Sequence, residues 1–465
     1  MKDKKGRKGL IVVVVHKSTD LDGREAKVFL EQLGTKIDQM IFWGGEKIQF
    51  SSGVKEVIFL DCFPEKDLVD RLKKRKIKLT VFDHHPHGDY PDPLDKRYPH
   101  HTTTSLIAKT HWKQLNLSNG TILRLIRWSK RADFKTGGDP MNIANLIRFM
   151  NLFYSDDRVQ EWAEKAVQSN FCDGGADFKK GREFFLDSLR DFLDRHPKLS
   201  SNDIIGKFLR RTEKNGVFED SMNIAAVTAR VRDKYGEKET RKWLSLTLRA
   251  IEKKQQKFEE ARKEVKSSVV STTGESVVVV GVSNNPMFNQ AAREYAKRIY
   301  QRVPIVAKIC PDNKGFQIFS DGFNDLRELV KALRVEVLKS RKREIPSDWE
   351  YLQQAGIVQG TDPLYYHKAG YSTIMWGSLT KPSVRKVDIP EQVIKETIMK
   401  VLDLEFFPSE CLNNSTCLGG ECGLFDYRLQ RCAQYRKENN HYQNDRQSLP
   451  RELKLGPAIT VRFEN

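Results

Sequence analysis

Side chains at the ends of three apolar runs could share one piece of chemistry. The first run, LIVVVV at 10–15, ends in His16-Lys-Ser-Thr-Asp20-Leu-Asp22-Gly23, which sets an imidazole and two carboxylates side by side. Asp61 closes VIFLD, and Asp83 closes LTVFD and is followed at once by His84 and His85. Taken singly, an acidic residue at the end of a buried strand is a helix cap or a turn former, and Asp22-Gly23 reads equally well as a turn. Three consecutive strands that all deliver Asp or His to one sheet edge are harder to explain in that way. The carboxyl edge of a parallel sheet is where α/β folds place their sites. Oxygen and imidazole donors without thiolates suit Mn2+ or Mg2+ better than structural zinc.

The elements that must position these residues follow from hydrophobic periodicity. LIVVVV at 10–15, MIFW at 40–43, VIFL at 57–60 and LTVF at 79–82 alternate with an amphipathic stretch from Arg24 to Leu33 and a charged helix around 66–76. This rhythm predicts an α/β fold with a parallel sheet. From about Asn142 to Arg262 the pattern turns mostly helical, as in EFFLDSLRDFLDRH at 183–196. Leu244, Leu248 and Ile251 keep a helical spacing, and KKQQKFEEARKEVK then reads as a solvated helix crossing between domains. A fresh strand, VVVVGV at 277–282, precedes a helix at about Gln290–Gln301 and strands at Ile305–Ile309 and 317–320. The expected division is therefore 1–240 (sheet core 1–140, helical part 141–240), a linker helix at 241–268, a smaller α/β domain at 270–405, and a Cys-rich knuckle and tail at 406–465. No internal repeat is visible.

The chain has 465 residues, long enough for two or three domains, with 80 Lys and Arg against 62 Asp and Glu, a formal charge of +18. Composition excludes a disordered chain and a small disulfide scaffold, and the charge points to polyanionic partners, although solubility alone could explain it. No apolar run approaches a membrane span, so a soluble protein with no membrane partner is expected. MKDKKGRKG imitates the start of a signal peptide, but the apolar run halts at His16 and reads as a buried first strand. Seven cysteines, an odd number, fit a reducing cytoplasm.

Asp83-His84-His85, with the upstream H-x3-D-x-D-G and the strand-ending Asp61 between them, resembles the DHH phosphoesterase superfamily. The resemblance implies a DHH domain that holds two divalent cations, Mn2+ or Mg2+, and a smaller DHH-associated domain at 270–405 that closes over the substrate. It further implies that His16 and Asp20 hold one metal, Asp22 and His84 the other, and that Asp61 bridges them. The family's fourth motif supplies one more aspartate to the second metal. Asp133 in KRADFKTGG is the candidate and Asp139 the alternative. Asp83 and His85 would orient or stabilise the ligands and a leaving group. Thr102 to Ser105 match the place where family members carry small hydroxyl residues, or form an N-cap. His100 and His101 read as loop residues.

In the second domain, the pattern from Asn284 to Ser320 resembles the DHH-associated arrangement of a helix and a strand ending in serine. The family's glycine-rich GGGH loop is replaced by YHKAGYS, in which His367 stands for the family histidine and Gly370 for a loop glycine. Ser320, His367 and Gly370 are the substrate-binding candidates. Cys411, Cys417, Cys422 and Cys432, spaced C-x5-C-x4-C-x9-C, read as a structural Zn2+ site, with an iron–sulfur cluster or unligated cysteines as alternatives. Arg428, Arg431, Tyr435 and Arg436 interleave with them. Basic runs recur along the chain, and Trp112, Trp128 and Trp243 are the candidates for stacking bases beside them.

The expected function is a metal-dependent phosphodiesterase or exonuclease that releases 5′-nucleotides from single-stranded nucleic acid or short oligonucleotides. The alternatives are hydrolysis of a cyclic di- or oligonucleotide and a non-catalytic nucleic-acid-binding scaffold. A homodimer or a protein partner is compatible with the sequence.

Overall fold

A computed structural model describes residues 9–84, 101–134, 141–171, 177–196, 221–273, 276–311, 314–321, 324–346, 348–368, 372–376, 386–403 and 424–432. His85, His100, Asp139, Gly370, Cys411, Cys417 and Cys422 lie outside the described residues. The chain divides into two compact units, 1–255 and 256–465. Among the described residues, no helix is long and apolar enough to cross a membrane.

The first unit is built on a four-stranded sheet of β1 (Leu10–His16), β2 (Gln39–Trp43), β3 (Val54–Leu60) and β4 (Lys78–Phe82), in the order β2-β1-β3-β4. All three pairings are parallel. Both faces are covered, which is why β1 is an unbroken apolar run where a half-exposed strand would alternate. Val13, Val15, Ile58 and Leu60 pack on one side with α1 (Leu21–Gln32) and the helical part. Val12, Val14, Val57 and Phe59 pack on the other with Leu68 and Leu72 of α2 (Lys66–Lys74).

The helical part comprises α3 (Thr103–His111), α4 (Asn119–Phe134), α5 (Ile143–Asn151), α6 (Asp156–Gln168), α7 (Phe178–Arg195) and the long α8 (Ile224–Lys266). Gly236, at φ 78°, breaks the helical geometry of α8. Trp162 of α6 and Trp243 of α8 stack with ring centroids 4.8 Å apart and seal the core. Trp243 is therefore buried, and so is Trp128, whose indole N–H donates to Ser221 Oγ at 2.9 Å. Neither can stack a base, contrary to expectation, because each fills core volume. The stretch after Ile251 also differs from the solvated crossing that its charge suggested. Phe258, Ala261 and Val265 form a sparse apolar stripe that packs into the second unit.

That unit holds a seven-stranded mixed sheet, in the order β5 (Val269–Thr273), β6 (Ser276–Val282), β7 (Val303–Cys310), β8 (Gly315–Ser320), β11 (Ser372–Trp376), β10 (Leu364–Lys368) and β9 (Gly356–Ile357). Among the described residues of this sheet, only β6 and β7 pair in parallel. β6 again has two buried faces. Val277 and Val279 pack with α9 (Phe288–Tyr300), and Val278 and Val280 belong to the core of α10 (Arg327–Ser340) and α11 (Glu391–Leu402). Cys432, of the four clustered cysteines the one among the described residues, sits in a helical turn against that core.

Candidate metal centre

The three strand ends converge. Asp22, Asp61 and His84 each offer a ligand atom, and these atoms all lie within 4.8 Å of one another. Asp61 stands between two imidazoles: His16 Nε2 is 3.3 Å from its Oδ2, and His84 Nε2 is 3.3 Å from its Oδ1. The backbone at Asp61 is left-handed, with φ 56°, a conformation that Asp tolerates better than most residues and that turns the chain sharply at the strand end. Its amide donates to Phe82 O at 2.9 Å, which ties this turn to the end of β4.

Asp133, in the last turn of α4, brings its Oδ2 to 3.2 Å from His84 Nε2. Asp20 caps α1 by accepting from the Asp22 amide at 2.8 Å. The structure thus brings His16, Asp20, Asp22, Asp61, His84 and Asp133 together. Asp83 is buried just after β4, where its charge acts on the Cys62 thiol. In the second unit, Ser320 pairs with Ser372 and His367 with Thr373, so the two candidates lie on strands that flank β11. Ser372 and Thr373 are consecutive, so Ser320 and His367 face opposite sides of the sheet, and Ser320 is fully buried; contrary to expectation, the structure does not join them in one substrate-binding face.

Asp22 is held by α3. The amides of Thr103 and Thr104 donate to its Oδ2 and Oδ1 at 2.6 and 2.9 Å, a use of the unpaired N–H groups that every helix start offers. Thr103 Oγ1 donates to Asp61 Oδ1 at 3.2 Å. Thr102 is the N-cap, in a reciprocal capping box with Ser105. The threonine run therefore both opens the helix and grips two carboxylates.

Gly23 lies inside α1 and forms no turn. A Cβ there would meet Thr19 Oγ1 at 2.3 Å and Asp61 Cβ at 3.3 Å, so the absent side chain is what allows the helix to approach Asp61. The 17–20 loop is anchored by Arg24, which is fully buried. Its guanidinium donates to Thr19 O, Asn151 Oδ1, Gln160 Oε1 and the Asp156 carboxylate and carbonyl, at 2.9 to 3.2 Å. Asp156 also accepts from the Ser18 amide, and Asn151 donates to Ser18 O and Thr19 O. Sequence reasoning missed this clamp. Its one sequence signal is an arginine in helical register with the apolar Leu21 and Val28 of α1.

Electrostatics suit cations. Burial, reinforced by the charge of Asp61 and only partly offset by His84 and the Thr104 amide, pushes the Asp22 carboxyl up to about 7. Burial, then the charges of Asp22, Asp20 and Asp61, pushes Asp133 up to about 11. Burial works against a charged His16, but the hydrogen bond and charge of Asp61 outweigh it and raise its pKa. Asp20, Asp22, Asp61 and Asp133 thus share one space with His16 and His84, and divalent cations would relieve the repulsion that keeps protons on Asp22 and Asp133. The His16 tautomer fits as well. Its Nδ1 lies 2.9 Å from the carbonyl of Lys17 and donates to it, which leaves the Nε2 lone pair of the neutral ring facing Asp61. Glu25 is fully buried near Asp22 and Asp20. Among the described residues neither of its carboxyl oxygens has a hydrogen-bond partner, and burial holds its pKa well above the ordinary value.

No protein-family model matches the chain, and no curated protein matches it by sequence. Among solved structures, it is similar to the DHH domain of a member of a ribosomal-protein family, at 14% identity and a TM-score of 0.42, over 85% of this chain and 87% of that one. It is also similar to RecJ in complex with Mn2+ from Thermus thermophilus, at 12% identity and a TM-score of 0.40, over 85% of this chain. There the chain spans about half of its relative's length, 52%. A third is the pGpG-specific phosphodiesterase PggH of Vibrio cholerae, at 10% identity and a TM-score of 0.34, over 69% of this chain and 87% of that one. In fold, with its parallel four-stranded sheet, its helices and its second mixed sheet, the chain is similar to DHH-domain proteins.

Proposed function

We propose that the chain is a metal-dependent phosphodiesterase of the DHH type that hydrolyses single-stranded nucleic acid or short oligonucleotides to 5′-nucleotides. The supporting observation is Asp61, whose two carboxylate oxygens each face a different histidine, as expected of a carboxylate shared by two cations. His16 and Asp20 would hold one ion, and Asp22, His84 and Asp133 the other. Two such ions, when bound, neutralise charge on a phosphoryl group and acidify a water for in-line attack.

The chain's own residues keep this arrangement in register. The Thr103 and Thr104 amides fix both oxygens of Asp22, the Thr103 hydroxyl orients Asp61, and the Lys17 carbonyl sets the His16 tautomer. The net charge of +18 favours a polyanionic substrate. The test is Mn2+-dependent release of 5′-mononucleotides from a single-stranded oligonucleotide. Asp61→Ala is expected to abolish it, and turnover unchanged in that variant would reject the reading.

A further inference from the structure

A cavity of about 380 Å³ lies between α3 and α4, lined by His101, Ser105, Lys109, Trp112, Ile126 and Lys130. Ser105, Lys109 and Trp112 form one stripe along α3 at i, i+4 and i+7, and Ile126 and Lys130 form a matching pair on α4 at i and i+4. The two helices run antiparallel away from the metal centre. α3 begins there, where the Thr103 and Thr104 amides hold Asp22, and α4 ends there, where Asp133 meets His84. Lys130 precedes Asp133 by one helical turn, a rise of about 4.5 Å, and Trp112 lies about 14 Å along α3 from Thr103. The cavity is thus a groove leading out of the centre, within reach of a nucleotide that neighbours the cleaved linkage.

The chemistry of its lining is selective. The exposed ammonium of Lys130 stands on its α4 wall, one turn from Ile126, and favours an anion. Ile126 and Trp112 both pack against the first core yet remain partly exposed. With Trp128 and Trp243 buried, Trp112 is the one of the three candidate tryptophans with surface left for a ligand. Ser105 is committed to the capping box and to His101 Nδ1, 2.9 Å away, so it belongs to the frame. An aromatic ring and an aliphatic wall beside a cation match a base with its attached phosphate better than a bare inorganic anion.

We propose that this cavity is a nucleotide subsite, with the base against Trp112 and Ile126 and the phosphate at Lys130. That the ligand is a nucleotide of the substrate rests on the phosphodiesterase reading above. The test is calorimetric titration of the 465-residue chain with AMP, and separately with inorganic phosphate, in excess EDTA so that no turnover occurs. AMP is expected to bind at least about tenfold more tightly than phosphate; Trp112→Leu is expected to weaken AMP about tenfold, the scale of one lost stacking contact, and Lys130→Glu at least about tenfold, the scale of one lost charge-assisted hydrogen bond. Trp112→Phe, which keeps a stacking face, is expected to stay within about threefold. Lys130 is exposed, so Lys130→Glu reports on binding even if Trp112→Leu does not fold.

Absence of AMP binding, equal affinity for phosphate, or AMP binding unchanged by Lys130→Glu would overturn the subsite. The two proposals fail separately. Persistent turnover in Asp61→Ala removes the phosphodiesterase reading, whereas the chelated titration decides the cavity alone.

Discussion

Asp22 and its neighbours are too crowded to be all ionised without compensation, and this has a pH signature. In the metal-free protein the Asp22 carboxyl titrates at about 7 and His16 lies above its ordinary value, so between the ordinary and the raised values the folded chain binds more protons than the unfolded one. Stability from these groups is then present at the acid side of the window and is lost as pH rises through the raised values. The thermal midpoint of chelated protein, measured relative to Asp22→Asn, is expected to fall between about pH 5 and about pH 7.5, and Mn2+ should restore it at the upper value. A relative midpoint that is flat or climbs would contradict the close packing of acids around Asp61.

At the scale of elements, close approach does the positioning. Gly23→Ala places a methyl group against Thr19 Oγ1 inside a helix where alanine would otherwise be favoured. It is expected to destabilise by about 1 to 3 kcal/mol and to weaken Mn2+ binding, read by urea unfolding and metal titration. Gly120→Ala, in the first turn of α4, meets nothing nearer than Ser118 Oγ at 4.0 Å and should be neutral or stabilising by up to about 1 kcal/mol. If both substitutions behaved alike, the α1–Asp61 approach would not be the reason for Gly23. Arg24→Met removes the guanidinium that joins the 17–20 loop to α5 and α6 and leaves the Asp156 side without its buried partner. A loss of about 3 to 5 kcal/mol in urea unfolding is expected, and an unshifted midpoint would show that the clamp is dispensable.

Across the whole molecule, the positive excess is spread along the chain, and its effect should be a collective one. With turnover blocked by EDTA, the affinity for a single-stranded oligonucleotide is expected to fall with a log–log salt slope of at least about −2, the signature of three or more neutralised phosphates. AMP should show a much shallower slope under the same conditions. Equal slopes would mean that the chain grips one phosphate at a time and would favour a small nucleotide over a long strand as substrate.

The sequence by itself determined the strand–helix alternation and the strand ends at which His16, Asp61 and His84 appear. Those signals are local: a strand with two buried faces must be apolar throughout, and the polar residue that ends it stands out. What only the tertiary structure decided depends on contacts between distant segments. Asp133, in the last turn of a helix 49 residues after His84, is brought to it by packing, and Arg24 finds all its acceptors but Thr19 O 127 to 136 residues away. Trp128 and Trp243 carry the same side chain as Trp112, yet burial makes two of them core and leaves one partly exposed. Residue type sets what a side chain can do, and the neighbours it meets in the fold set which of those things it does.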